Sequence, residues 1–285
     1  MMPEEVCHYT RAKTALKILS TRKLRISQFK FTDDPRESRE RNAAIIWVTH
    51  QEDGIKKGYS SLSSNPTQDT TTQRIQREAN QIALEEWKVL CVTLHRPPNQ
   101  FRSIQDEVYN HSIRPGYARP RMWAQYAENH TGVCFVFDAM KLNEIIHKNL
   151  DALCRILQGR VTYNYKRLVH NTIPVKNQTE NADEEHLIEE LRAYYIAHFK
   201  ETFLIKHPDW RDEKEYRWIL HSSQKSHLFV PIEDAVKDIF VGVDFPKTCL
   251  PRLTKYCKEL KISVGRMEWD DGIALSRFGS IYKPQ

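Results

Sequence analysis

The pattern of apolar and polar positions is sharpest between Met122 and Asp138, MWAQYAENHTGVCFVFD. Trp123, Tyr126, Ala127 and His130 fall at i, i+3, i+4 and i+7, the spacing of one helix face, and Gly132 is placed to end that helix in the left-handed conformation. At Val133 the period changes. Val133, Phe135 and Phe137 alternate with Cys134 and Val136, so both faces are apolar and the segment predicts a central strand covered on both sides. Trp and Tyr at helical spacing suit core packing as well as a site. A helix that runs straight into a buried strand is nevertheless a rigid mount for polar side chains.

The same reading extends along the chain. Val6 to Tyr9 predicts a short strand, with Thr10 as N-cap of a helix whose inward face is Ala12, Ala15, Leu16 and Leu19. Leu24 to Ser27 is a second strand. Asp33, Asp34 and Pro35 form a turn before a helix starting near Ser38, with Ala43 to Val48 as its apolar body. Tyr59 to Thr72, YSSLSSNPTQDTTT, is of low complexity and predicts a mobile surface loop. Gln73 to Trp87 has helical periodicity and Val89 to Leu94 reads as a strand. Leu142 to Leu157 is amphipathic, Arg160 to Tyr165 is a strand, 166–182 is polar and irregular, and Asp183 to His207 is the longest helical pattern. In DWRDEKEYRWIL, alternation from Glu213 places Glu213, Glu215 and Arg217 on one face and Tyr216, Trp218 and Leu220 on the other. Val236 to Val243 predicts a strand, Leu250 to Leu260 a helix and Lys261 to Met267 a terminal strand. The sum is an α+β, or mixed α/β, chain read as a single domain over residues 1–285.

Charge changes this picture little. The 43 basic and 37 acidic residues give a net charge of +6, but they are interspersed. The densest basic stretch is IRPGYARPR, where Arg114, Arg119 and Arg121 alternate with Tyr117 and two prolines; it suits a solvated loop or a grip on phosphate. The six cysteines form no CxxC pair and no zinc-like spacing. No apolar run reaches the length of a bilayer span and the first residues lack an apolar leader, so the chain reads as cytoplasmic with no membrane partner. Neither GxGxxG nor GxxxxGK[ST] occurs, which removes the support for Rossmann and P-loop sites.

Four blocks carry a resemblance to a bacterial family of unknown function, numbered twenty-nine seventy-one, some of whose members lie near phage-defence genes. They are His8-Tyr9-Thr10 with its helix, LRISQFKFTDDPRE, WAQYAENHTGVCFVFD and KHPDWRDEKEYRWI, in order over residues 8–220. Asp33 stands where that family usually has Asn, Arg36 where it has an apolar residue, and Thr93 to His95 where it has Ser-Leu-Ser. More distantly, a strand ending in His-x-Thr, a helix, a strand with a serine and a late strand with a glutamate resemble the element order of ADP-ribosyltransferase-like folds. That resemblance implies a central mixed, largely antiparallel sheet flanked by helices, with NAD as substrate. It also implies roles. Glu215, with Glu213 second, would stabilise the ribosyl cation formed as nicotinamide leaves. His8, with Thr10, would hold the adenosine-side ribose, Tyr126 or Trp123 would stack on nicotinamide, and Ser27 and Arg217 would support them.

The chemistry of the residues leaves three readings open: an NAD-using effector acting on a macromolecular acceptor, protein or nucleic acid; a nucleotide-binding or sensor module without turnover; and a magnesium-dependent nuclease using Asp33, Asp34, Glu37 and Glu215. Glu215 and Arg217 also suit a structural ion pair, and His8 a satisfied buried histidine.

Overall fold

A computed structural model describes residues 2–39, 44–51, 54–59, 71–95, 115–164, 172–176, 184–224, 226–270 and 273–284. Its strands are β1 (Glu5–Thr10), β2 (Lys23–Gln28), β3 (Ala44–Gln51), β4 (Gly54–Tyr59), β5 (Trp87–His95), β6 (Val133–Asp138), β7 (Arg155–Arg160), β8 (Thr162–Tyr163), β9 (Thr172–Lys176), β10 (Ile205–Lys206), β11 (Glu215–His221), β12 (Leu228–Pro231), β13 (Val236–Val241), β14 (Ser263–Asp270) and β15 (Ile273–Tyr282). The helices are α1 (Ala12–Thr21), α2 (Pro35–Ser38), α3 (Thr71–Gln81), α4 (Pro120–Tyr126), α5 (Ala139–Leu150), α6 (Glu184–Ala197), α7 (Phe199–Phe203) and α8 (Leu250–Glu259).

Among the described residues ten strands share one sheet, ordered β12-β2-β5-β1-β6-β13-β14-β15, with β11 pairing to β5 and β7 to β11. All these ladders are antiparallel except β13–β14. The mixed, mostly antiparallel sheet and its helices are the architecture expected of the α+β class. β6 is buried on both faces, as its two-sided apolar pattern requires: Val133, Phe135 and Phe137 enter a core under α1, α5 and α8, while Cys134 and Val136 enter another with Tyr9, Trp123 and Phe240. A further core gathers Phe29, Trp87 and Ile219 with Ile75 of α3 and Leu191 of α6.

One irregularity positions the site. β11 pairs along β5 from Trp87 to Thr93, but the opposite edge of β5 changes partner. Val89 and Lys88 pair with Ser27 and Gln28 of β2, whereas Thr93 to His95 pair with Cys7 to Glu5 of β1. The sheet is therefore split beside Leu90–Val92. A buried carbonyl left by a broken ladder needs another donor, and His8 Nδ1 supplies one to Cys91 O at 3.2 Å.

Several expectations are corrected. The helix predicted through His130 stops at Tyr126. Glu128, Asn129 and His130 follow with φ of 50°, 50° and 66°, so three residues other than Gly132 make the left-handed turn. Gly132 is required for space instead: a Cβ there would lie 2.3 Å from Thr10 O. Arg11, not Thr10, is the N-cap of α1. The helix expected near Ser38 is the short α2, begun by the Asp34 cap and Pro35, and of its expected apolar body the described part, Ala44 to Val48, lies in strand β3. The helical pattern of Gln73–Trp87 ends in a π-turn at Ile82–Glu86, and Trp87 opens β5. Leu142–Leu157 is divided between α5 and β7, and Asp183–His207 between α6, α7 and β10, because short apolar strands continue the helical hydrophobic count without a break. Strands β4, β9, β12 and β15 were not predicted, and β14 is not terminal. Most of the low-complexity stretch, 60–70, lies outside the described residues, as does Arg114. Among the described residues no helix is long and apolar enough to cross a membrane.

Candidate active site

The split in the sheet opens into a cleft of about 200 Å³ on the face opposite α1 and α8. Alternation along β2 buries Leu24 and Ile26 in the core and turns Arg25 and Ser27 toward the cleft. β1 contributes His8, α4 contributes Met122 and Tyr126, the turn before α2 contributes Phe31 and Asp33, and α2 itself contributes Glu37. The far wall is Lys206, Glu213 and Glu215. A 3₁₀ turn, Pro208–Glu213, precedes β11, and Lys214 between them is left-handed (φ 49°). That reversal lets Glu213 and Glu215 reach the same cleft although only Glu215 lies in the strand.

The two glutamates differ in partners. Glu215 receives Arg217 Nε and Nη2, both at 2.9 Å, and Lys206 Nζ lies 3.3 Å away. Its backbone N–H donates to the Tyr163 hydroxyl at 2.9 Å. Glu213 accepts from Lys206 Nζ at 2.8 Å and from the Tyr126 hydroxyl at 2.5 Å. Arg217, fully buried, also donates to both oxygens of Glu37, at 2.6 and 3.1 Å, and to Phe203 O at 2.6 Å. Lys206 Nζ packs 4.8 Å from the Trp210 ring centre. Three carboxylates thus share two cations.

These surroundings separate the acidities. Burial raises the Glu215 carboxyl, but the Arg217 and Lys206 charges outweigh it and hold it at about 2. Glu213 is raised, first by burial and then by the Glu215 charge, with Lys206 opposing. Tyr126 is raised by burial and by Glu213, so its hydroxyl is a donor. His8 is lowered by burial, which favours the neutral ring.

The cleft therefore brings together His8, Ser27, Tyr126, Glu213 and Glu215. Arg217 stands behind Glu215 as its buried counter-charge. Trp123 is in the core, its indole N–H bonded to Tyr117 O and its ring edge-on to Tyr9, and Thr10 pairs with Val133 at the end of β1. His130 is a structural residue here: its carbonyl accepts from Asp244 N–H and its ring meets Trp269. Arg119 and Arg121, read from sequence as part of either a solvated loop or a grip on phosphate, donate to Asp212 O and Asp209 O and tie α4 to the 3₁₀ turn. Lys206 was missed because Ile205–Lys206 is too short a strand to show a period. Of the carboxylates in the metal reading, Asp34 caps α2 through Oδ1 and Glu37 is bridged by Arg217. Among the described residues no group of three or more His, Cys, Asp and Glu is placed to hold a metal ion.

No curated protein matches the chain in sequence. Solved structures of DarT from Thermus sp. 2.9 are similar to it, each with a TM-score of 0.30: the complex with NAD+ at 12% identity over 90% of either chain, the complex with carba-NAD+ at 13% over 90% of either chain, and the complex with ADP-ribosylated ssDNA at 12% over 90% of this chain and 89% of that one. Residues 122–218, from α4 through β6 to the Glu215–Arg217 strand, match the family described as protein of unknown function DUF2971.

Proposed function

We propose that this protein uses NAD as a substrate, in an ADP-ribosyltransferase-like reaction that breaks the bond between nicotinamide and ribose and transfers the ADP-ribosyl group to a macromolecule. The observation that carries the reading is that one cleft, in the split of the sheet, joins His8, Ser27 and Tyr126 to the Glu213–Glu215 pair. Its volume, about 200 Å³, is below the ~300–1,000 Å³ of typical ligand pockets, which suits the nicotinamide–ribose end rather than the whole dinucleotide. As the glycosidic bond breaks, its electron pair leaves with nicotinamide and C1′ of the ribose becomes cationic. A fixed carboxylate in a poorly solvated site stabilises that charge. Glu215, held ionised by Arg217 and Lys206, meets this requirement at neutral pH, and the three acids over two cations leave an excess of negative charge nearby.

The test is nicotinamide release from NAD by wild type, Glu215→Gln and Glu213→Gln, with thermal unfolding recorded on the same samples. Glu215→Gln should lose on the order of a hundredfold or more in rate while NAD affinity changes little. Activity kept in Glu215→Gln but lost in Glu213→Gln would move the central role to Glu213. A second reading, a nucleotide-binding module without turnover, is favoured by the Glu37–Arg217–Glu215 bridge, in which both Glu215 oxygens already have partners. It predicts NAD binding without nicotinamide release by any variant.

A further inference from the structure

The wall of the cleft formed by β2 continues onto an open surface. Leu24 and Ile26 of β2 and Leu228 and Val230 of β12 face the core, so the alternate positions Lys23, Arg25, Phe229 and Pro231 face outward. In register, Arg25 lies opposite Phe229 and Lys23 opposite Pro231. Phe229 is 49% exposed and Phe31, which also lines the cleft mouth, is 56% exposed. These are two of the few large apolar side chains left in solvent, and they flank one exposed arginine. Lys23 and Arg25 have no acidic partner among the described residues, while Lys30 beside them is paired with Glu85. His227 packs on Phe31 with ring centres 5.0 Å apart, and its Nδ1 has no hydrogen-bond partner. Arg25, Lys30 and Lys88 all act on His227 as positive charges.

Two exposed aromatic side chains with an unpaired arginine between them and an unpaired lysine beyond match one kind of polymer. Unpaired bases stack on the rings at a repeat set by the backbone, and the phosphates take the cations. A folded protein surface offers no such alternation of flat rings and regular negative charge, and a base-paired duplex hides its faces. We propose that this β2–β12 face, with Phe31 at the cleft mouth, binds a single strand of nucleic acid and delivers it as the acceptor to the cleft. Binding is independent of the reaction; the acceptor role rests on the NAD-cleaving reading above.

The probe is a fluorescent 12-nucleotide oligodeoxythymidylate, measured by anisotropy at several salt concentrations, with its duplex as comparison. Phe31→Ala and Phe229→Ala should each weaken binding by roughly 5- to 150-fold, the effect of removing one stacked base. Arg25→Gln should lower the slope of log affinity against log salt by about 0.7, one phosphate contact on a single strand. Lys255→Gln, on α8 at the other face of the sheet, should leave binding unchanged; it controls for attraction by general positive charge. Equal binding of duplex, equal weakening by Lys255→Gln, or no weakening by either phenylalanine variant overturns the proposal. So does a rise in the KM for NAD in the phenylalanine variants with oligonucleotide binding intact, since the surface would then serve the dinucleotide. Loss of oligonucleotide binding in these variants, when wild type releases no nicotinamide, supports the surface and refutes only the reaction.

Discussion

Replacing Arg217 with Met would remove a fully buried cation that serves two buried carboxylates. The guanidinium makes two hydrogen bonds to Glu215, two to Glu37 and one to Phe203 O, and methionine fills much of the stem's volume while satisfying none of them. Removing one partner of a buried ion pair costs roughly 3–5 kcal/mol, because the charge left behind is uncompensated. The chain has 285 residues, and an unfolding entropy of about 2 cal/mol/K per residue turns that loss into a fall of roughly 5–8 °C in Tm. The pH dependence is the sharper part. In wild type the Glu215 carboxyl is held at about 2, below the 4.5 usual for a glutamate, so its contribution is present above pH ~4.5 and is lost as pH falls toward 2. In Arg217→Met the larger depressing charge is gone and burial pushes the Glu215 carboxyl upward against Lys206 alone, so the folded state gains protons more readily than before. The deficit relative to wild type should be largest near pH 7 and shrink as the pH is lowered toward 4. Calorimetric unfolding of both proteins at pH 4, 5, 6 and 7 is the assay. A deficit under about 2 °C at pH 7, or one that grows on acidification, would refute the account of Arg217 as the counter-charge of this wall.

Phe135→Ala, in the fully buried centre of β6, should cost roughly 3–5 kcal/mol in a denaturant titration; a loss under about 1 kcal/mol would place the strand at the periphery. Lys206→Met removes the cation that opposes the upward shift of Glu213 and helps to lower Glu215. Both carboxyls should then ionise at higher pH, so the acidic limb of the pH profile of nicotinamide release should move to higher pH, and Lys206→Arg should restore it; an unmoved limb would exclude Lys206 from setting the charge of the pair.

The sequence by itself determined those features whose signal lies within one element. Val133–Asp138 is apolar at every one of its first five positions, and only a strand covered on both sides accommodates that, so the centre of the sheet was legible. So were α1, α8 and the strand of Glu215, because their periods run long enough to count. His8, Ser27, Tyr126, Glu213 and Glu215 were singled out by residue type and by family resemblance, and each lies beside an element the pattern had located. The tertiary structure decided what depends on partners far along the chain. That Ala44–Gln51 is a strand and not a helix is fixed by its pairing with β4 and β9, which overrides local propensity. The end of α4 is set by the closeness of the Glu128–His130 turn to Gly242, where a Cβ would lie 1.9 Å from His130 O, and no local spacing encodes that contact. The cleft itself exists because β5 exchanges β2 for β1 along one edge, and the difference between Glu213 and Glu215 exists because Arg217, Lys206 and Tyr126 arrive on three other stretches of chain. Hydrophobic period is a property of neighbours in sequence; ladder register and charge compensation are properties of neighbours in space, and only folding brings those together.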